Sequence, residues 1–231
     1  MNHGAGLAIF GTNSEAVSLS VDERLHLTDH LLEKGGSEEG VFTYYSEIIE
    51  RVGRDKLGIY LYHIPQMTQM TQVPLTMSLI ERLIKRYPHT IMGAKDSSGD
   101  WANSRAMIEA FAPIGFAVFP ASESLLTASL ALGGAGCISA TVSVNPSGIK
   151  ALFDRWNMPD GMMLQEQADQ IRKIFQATPK IAAMKRTAAE HSGHADWARV
   201  RPPLCGLDEE AAASLRRALG AVGFGMEGYP R

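Results

Sequence analysis

Residues 57–100 read LGIYLYHIPQMTQMTQVPLTMSLIERLIKRYPHTIMGAKDSSGD, and this stretch decides the fold class. Its first run, Leu57–Tyr62, is continuous, aromatic and β-branched, which is typical of a strand buried on both faces of a parallel sheet. A second short run, Thr90–Ala94, predicts another strand. Between the two runs a helix is predicted from about residue 76 to 87, with its inner face made by Leu79, Ile80, Leu83 and Ile84. Strand, helix and strand in this order predict a right-handed βα unit.

The alternation of strand and helix continues on both sides of this stretch. Three further short apolar runs predict strands at Leu7–Phe10, Phe116–Phe119 and Gly136–Ser139. Further helices are predicted at residues 20–32, 40–52, 101–111 and 122–132, with one more starting near Pro146. Five repeats of strand, loop and helix predict an α/β protein with a parallel sheet or a (β/α)8 barrel.

The last third of the chain has a different pattern. After about Asp160 no strand signal remains, and helices are predicted at residues 161–177, 181–191 and 208–222. We therefore expect two regions, a (β/α) barrel region at residues 1–159 and a C-terminal helical region at residues 160–231.

Composition excludes several classes of protein. The 231 residues carry 22 Lys and Arg against 25 Asp and Glu, so that no broad basic field is available for nucleic acid or membrane lipids. No run of about 18 apolar residues and no signal peptide are found. The two cysteines, Cys137 and Cys205, lack a CxxC spacing, which excludes a disulfide framework and a cysteine zinc site and favours a reducing compartment. A soluble cytoplasmic protein is expected.

Two side chains at predicted strand ends are candidates for chemistry, because the active site of a parallel barrel lies where strands end. Lys95 directly follows an apolar strand, and partial burial there would favour the neutral amine that a nucleophile needs. The alternative is a surface lysine paired with Asp96 or Asp100. Tyr62 ends its strand with a hydroxyl that could relay protons, or it is a core aromatic bonded to a backbone carbonyl.

A second pair of candidates lies near the start of the chain. Thr12 and Asn13 follow the first predicted strand at a tight turn, where hydroxyls and backbone amides could hold a carboxylate. Ordinary turn chemistry explains the same residue types. His63, His191 and His194 lack the spacing of a metal site, and no metal is predicted.

Four motifs occur in the order found in a known family. GTNSEA at residues 11–16, YHIP at 62–65, GAKDSSGD at 93–100 and GGAGCISATVSVNP at 133–146 resemble the motifs of the dihydrodipicolinate synthase and N-acetylneuraminate lyase superfamily. In that family the second motif is YNxP, and the third contains a Schiff-base lysine. The resemblance spans about Gly4 to Phe153, and RPPLCGL at 201–207 is similar to the family's helical tail.

The resemblance implies class I aldolase chemistry on a (β/α)8 TIM barrel with a C-terminal helical extension. Lys95 would attack the carbonyl of pyruvate or of a related 2-keto acid, and Tyr62 would shuttle protons. Thr12 and Asn13 would hold the substrate carboxylate. The reaction would use an aldehyde as the other small molecule and no metal or organic cofactor.

Two more site residues and an assembly state follow from the same resemblance. Ile138 would line the pocket through its main chain, and Ser139 would reach the distal part of the substrate. A homodimer or homotetramer is expected, since members of the family commonly form tetramers built from dimers.

The chain departs from the family pattern in two places. Where dihydrodipicolinate synthases have an arginine for the second substrate's carboxylate, this chain has Gln66–Gln69, so that strict dihydrodipicolinate synthase activity is not favoured. A full barrel needs about 250 residues, and several βα units have no counterpart here. We expect those units to belong to the molecule outside this sequence, with an incomplete domain as the alternative. A catalytically impaired relative that acts as a binding or regulatory protein is the second function considered.

Overall fold

The computed structural model describes residues 37–53, 57–65 and 73–226. The described residues fall into two compact units, one ending at Ile138 and the other beginning at Ser139. In the part of the chain that the structure describes, no helix combines the length and the apolar character needed to cross a membrane.

The first unit alternates helices and strands. Its elements are α1 (Glu38–Val52), β1 (Ile59–His63), α2 (Met77–Arg86), β2 (Ile91–Asp96), α3 (Trp101–Phe111), β3 (Ala117–Pro120) and α4 (Leu126–Ala131). Short 3-10 helices lie at Ala112–Ile114 and Glu123–Leu125. The predicted α/β pattern of this stretch is therefore confirmed, with element boundaries shifted by a few residues.

The three strands form one parallel sheet in the order β1, β2, β3. Tyr62 is opposite Lys95 in the register of the first pair, and Lys95 is opposite Phe119 in the second. All three strands therefore end at the same edge of the sheet, which is where a parallel sheet collects its functional side chains.

The two faces of this sheet have different environments, because successive side chains of a strand alternate between faces. Leu61, Ala94 and Val118 are fully buried in a core with residues of α1, α2 and α3. Tyr60 and Lys95 lie on the opposite face, where Tyr60 is 51% exposed. One face thus holds the core, and the other carries the predicted nucleophile.

The helices begin where the sequence supplies capping side chains. Ser37 Oγ accepts a hydrogen bond from Gly40 N at the start of α1, and Thr76 Oγ1 accepts one from Leu79 N at the start of α2. The Thr76 hydroxyl also donates to Glu38 Oε2 over 2.7 Å, which links the first turns of the two helices. Such caps satisfy backbone amides that have no partner within the helix.

The contact between β2 and β3 depends on the absence of a side chain at Gly93. A Cβ atom there would collide with the backbone oxygen of Ala117 and lie 2.9 Å from the ring of Tyr60. Because the backbone oxygen is held in the sheet, the strands would have to separate.

Gly93→Ala is therefore expected to lower the free energy of unfolding by about 1–3 kcal/mol, as overpacking in a core does. Urea unfolding followed by circular dichroism measures this difference. Gly58→Ala is the matched control, since a Cβ there would meet only Met92 Cγ at 3.6 Å. Equal stability of the two variants would contradict the packing argument.

The second unit is helical. After a 3-10 turn at Thr141–Ser143 its helices are α5 (Pro146–Arg155), α6 (Gly161–Gln176), α7 (Lys180–Ser192) and α8 (Glu209–Ala221), with another 3-10 turn at Ala195–Ala198. Phe175, Met184 and Leu215 are buried in its core, and the Phe175 ring meets Phe224 edge to face at 6.1 Å. The three helices predicted after residue 160 are confirmed.

The predicted strand at Gly136–Ser139 is wrong. Two backbone hydrogen bonds connect this part of the chain to β3: Ala135 N, just before the predicted strand, donates to Val118 O, and Ile138 N donates to Pro120 O. Between them Gly136 has a φ of +146°, which takes the backbone out of the strand conformation. The segment therefore follows β3 without forming a regular strand.

The structure does not test the remaining predictions. The predicted strand Leu7–Phe10 and the predicted helix 20–32 lie outside the described residues. Barrel closure and a boundary at residues 159 and 160 stay predictions.

Candidate active site

Lys95 and Tyr62 form the centre of the candidate site. They are register partners at the carboxyl ends of β2 and β1, and both side chains are half-buried. Lys95 Nζ donates a hydrogen bond to Tyr62 Oη over 3.1 Å and lies 4.2 Å from the centre of the tyrosine ring. An amine and a phenol at this separation can exchange a proton directly.

The two carboxylates that could have paired with Lys95 are engaged elsewhere. Asp100 is the N-cap of α3, where its Oδ1 accepts a hydrogen bond from Ala102 N over 2.9 Å. Asp96 is only 3% exposed and follows Lys95 on the strand, so that its side chain lies on the opposite face of the sheet. In the structure Lys95 is therefore hydrogen-bonded to the Tyr62 hydroxyl and not to either of these carboxylates.

Asp96 is held by donors from the loop and helix that follow β2. Its Oδ1 accepts a hydrogen bond from Ser98 N over 2.9 Å. Its Oδ2 accepts from Asn103 Nδ2 over 3.1 Å and from Ser104 Oγ over 2.6 Å. Sequence reasoning considered Asp96 only as a surface partner of Lys95 and missed this buried cluster. The strict alternation of side chains along the strand was the signal that could have revealed it.

His63 is the register partner of Asp96 and is buried with 6% of its surface exposed. Burial lowers the pKa of its imidazole below the ordinary value of 6.5, because the protonated form loses hydration, while the nearby Asp96 carboxylate opposes this effect. His63 occupies the position of the asparagine in the YNxP pattern. A titratable side chain thus follows Tyr62 on β1 and lies on the opposite face of the sheet.

The lowered pKa of His63 predicts a loss of stability in acid. Below about pH 6.5 the unfolded chain binds a proton at His63 that the folded chain does not, so the free energy of unfolding falls as the pH falls through this window. His63→Asn should reduce this pH dependence. Urea unfolding of the wild type and of His63→Asn above and below pH 6.5 measures this dependence. If the free energy of unfolding changed equally with pH in both proteins, the assignment to His63 would be refuted.

On the side of β2 that faces away from β1, the end of β3 is hydrogen-bonded to the strand that carries Lys95. Ala121 N donates to the backbone oxygen of Asp96 over 2.8 Å. Ser122 Oγ accepts a hydrogen bond from Ser124 N and caps the following 3-10 turn, in which Glu123 is completely buried.

The remaining predicted site residues are placed as follows. Ile138 lies beside the end of β3 through its bond to Pro120 O. In the second unit, Ser139 Oγ accepts hydrogen bonds from Thr141 N over 3.2 Å and from Arg172 Nη1 of α6 over 3.3 Å. Thr12 and Asn13 lie outside the described residues. Within residues 37–53, 57–65 and 73–226, no group of three or more His, Cys, Asp or Glu side chains is arranged to hold a metal ion.

Solved structures show what the fold resembles. Dihydrodipicolinate synthase from Agrobacterium tumefaciens aligns with a TM-score of 0.71 over 92% of this chain and 85% of its own, at 22% identity. YagE from Escherichia coli K12, a member of the dihydrodipicolinic acid synthase family solved in complex with pyruvate, aligns with a TM-score of 0.74 over 93% and 85%, also at 22% identity. N-acetylneuraminate lyase from Fusobacterium nucleatum aligns with a TM-score of 0.68 over 80% and 61%, at 18% identity. The fold is thus the α/β fold of these proteins.

Sequence comparisons point to the same group. An uncharacterized DapA-like lyase from Chloroflexus aurantiacus is 31% identical over 204 residues, which cover 88% of this chain and 66% of that protein. The 4-hydroxy-tetrahydrodipicolinate synthase of Methanopyrus kandleri is 31% identical over 195 residues, covering 83% and 61%. The chain therefore spans slightly less than two thirds of the length of these relatives.

A family model covers most of the chain. The model of the dihydrodipicolinate synthetase family matches residues 32–222, a range that contains Tyr62, Lys95 and the C-terminal helices. This match confirms the resemblance to the family, and three of the four motifs lie within the matched range, while GTNSEA at residues 11–16 lies outside it. The chain belongs to the dihydrodipicolinate synthetase family.

Proposed function

We propose that the chain is a Schiff-base-forming lyase or aldolase that makes or breaks a C–C bond next to the carbonyl of pyruvate or a related 2-keto acid. The observation that carries the proposal is the 3.1 Å hydrogen bond between Lys95 Nζ and Tyr62 Oη at the carboxyl ends of two parallel strands. Membership of the dihydrodipicolinate synthetase family supports it.

The proposed chemistry begins with the Lys95 amine. The neutral amine attacks the keto carbon, and the resulting carbinolamine loses its hydroxyl as water to give an imine. The departing hydroxyl needs a proton, and the nearby Tyr62 hydroxyl is the proposed donor. The bond between the carbon next to the imine and the following carbinol carbon then breaks, and the protonated imine accepts its electron pair to become an enamine. Tyr62 is the proposed acceptor of the carbinol hydroxyl proton as that carbon leaves as an aldehyde. In the opposite direction the enamine attacks an aldehyde, whose oxygen takes this proton back.

The other predicted residues complete the proposed substrate site. Thr12 and Asn13 would hold the carboxylate of the 2-keto acid, Ile138 would contribute its main chain, and Ser139 would contact the distal part of the substrate. The reaction as written needs no metal or organic cofactor. It takes place on a closed (β/α)8 barrel in this proposal, in a cytoplasmic homodimer or homotetramer.

The second substrate is proposed to be an aldehyde other than aspartate semialdehyde. Gln66–Gln69 supply no positive charge where the family pattern has an arginine for that substrate's carboxylate. A panel of aldehydes incubated with pyruvate, with the products identified by mass spectrometry, would give the preferred partner.

Borohydride trapping tests the proposed chemistry directly. Incubation with pyruvate and sodium borohydride should reduce the imine to a stable secondary amine, and the added mass should map to the peptide that contains Lys95. If no adduct forms with pyruvate or other 2-keto acids, the lyase proposal fails, and a non-catalytic binding or regulatory protein becomes the better description.

A further inference from the structure

We infer that Asp96 is a positioning residue for the Lys95 nucleophile, acting through the backbone of the strand end and through its hydrogen bonds to α3. The inference rests on the proposed function and adds to it a residue that does not touch the substrate. It is carried by the buried carboxylate cluster and by the hydrogen bonds that join the ends of β1, β2 and β3.

Asp96 is excluded from direct proton transfer by its place in the sheet. Lys95 and Asp96 are consecutive strand residues, so their side chains lie on opposite faces. Asp96 is 3% exposed and is surrounded by the donors of Ser98, Asn103 and Ser104. A carboxylate in this position acts on the reaction only by fixing the geometry of its neighbours.

The cluster joins the Lys95 strand to the start of α3. Asn103 and Ser104 belong to the first turn of this helix, and both donate to the same oxygen, Asp96 Oδ2. Hydrogen bonds to a charged acceptor are short and strong, as the 2.6 Å bond from Ser104 Oγ illustrates. The helix and the strand end are therefore fixed to each other one residue beyond the nucleophile.

Backbone bonds fix the same strand end from both sides. Ser97 N donates to His63 O over 2.7 Å, which joins the residue after β2 to the last residue of β1. Ala121 N donates to Asp96 O over 2.8 Å, which joins β2 to the end of β3. The distance between Lys95 Nζ and Tyr62 Oη depends on how these strand ends are aligned. A displacement of about 1 Å at a reacting group can slow a reaction by about 100-fold.

Asp96→Asn tests the inference with little change in shape. The amide replaces one acceptor oxygen with an NH2 group, which must face donors of the cluster. We expect the rate of borohydride-trappable adduct formation at saturating pyruvate to fall by about 10- to 100-fold. The pyruvate concentration that gives half of the maximal rate should change much less, because Asp96 does not contact the substrate.

Ser104→Ala is a second variant that keeps the carboxylate and removes only the 2.6 Å bond. It should lower the same rate by a smaller factor. Glu109→Ala is the matched control, since it removes the exposed ion-pair partner of Arg105 on the same helix but no bond to the Lys95 strand. It should leave the rate close to that of the wild type, because the first turn of α3 keeps its cap and its bonds to Asp96.

Three results would overturn the inference. The first is a wild-type rate in both Asp96→Asn and Ser104→Ala, and the second is an equal rate loss in Glu109→Ala and Ser104→Ala. The third is an Asp96→Asn protein whose maximal rate equals that of the wild type and in which only the pyruvate concentration for half of the maximal rate has risen. Failure of the proposed function is distinguishable from these results, because the wild-type protein itself would then form no adduct with pyruvate.

Discussion

Lys95→Ala is expected to abolish formation of the pyruvate adduct, with a residual rate at the level of a protein-free control. The loss should be complete, because a side chain without an amine cannot form the imine on which every later step depends. Lys95 Nζ is placed beside the Tyr62 hydroxyl at the end of β2, and an alanine leaves that position empty. Mass spectrometry of the borohydride-treated protein measures the result.

Two further variants show whether the loss belongs to this amine. Lys95→Arg keeps the positive charge but not the nucleophile, and it should also form no adduct. Lys85→Ala removes an exposed lysine that pairs with Glu81 on α2, and it should react as the wild type does. An adduct of undiminished yield in Lys95→Ala would show that another amine reacts and would remove Lys95 from the mechanism.

Tyr62→Phe is expected to lower turnover by about 10²- to 10⁴-fold, which is the usual contribution of a positioned acid or base. The substitution removes the phenol oxygen that lies 3.1 Å from the Lys95 amine but keeps the ring, whose centre is 4.2 Å from that amine. The rate of adduct formation measured across a range of pH values should fall throughout. The melting temperature should change little, because the aromatic packing is retained.

Tyr60→Phe is the matched control for this prediction. Tyr60 lies on the same strand and the same face, two residues before Tyr62, and its ring contacts Phe119 edge to face at 5.8 Å. Loss of its hydroxyl should leave turnover close to that of the wild type. Equal effects of the two substitutions would mean that Tyr62 has no specific part in proton transfer.

The strands and helices of the first unit were predictable where the hydrophobic pattern is simple. The run Thr90–Ala94 indicated a buried strand, which the structure places at Ile91–Asp96. The run at Gly136–Ser139 has similar composition but forms no strand, because the backbone at Gly136 adopts a positive φ. The apolar composition of a run does not predict the backbone angles of its residues. The presence of glycine at position 136 was the one sign in the sequence that a positive φ could interrupt the strand.

The residues of the candidate site that lie at strand ends were predictable, but their partners on the following helix were not. Strand ends and motif order pointed to Lys95 and Tyr62, and the structure brings these two side chains together. The cluster around Asp96 was missed because its partners Asn103 and Ser104 come seven and eight residues later, on a helix whose rotation relative to the strand is set by packing. Local pattern does not specify which helical residues face a given strand residue.

The division of the sheet into a core face and a Lys95 face has a practical meaning for directed evolution. Randomising Tyr60, Ala117 and Phe119 samples side chains that share the sheet face of Lys95 and are at least partly exposed. Randomising Leu61, Ala94 or Val118 instead introduces substitutions into the close-packed interior, where most changes destabilise. A library that varies only alternate positions along these strands would therefore change the Lys95 face, and with it the proposed choice of aldehyde, while conserving the scaffold.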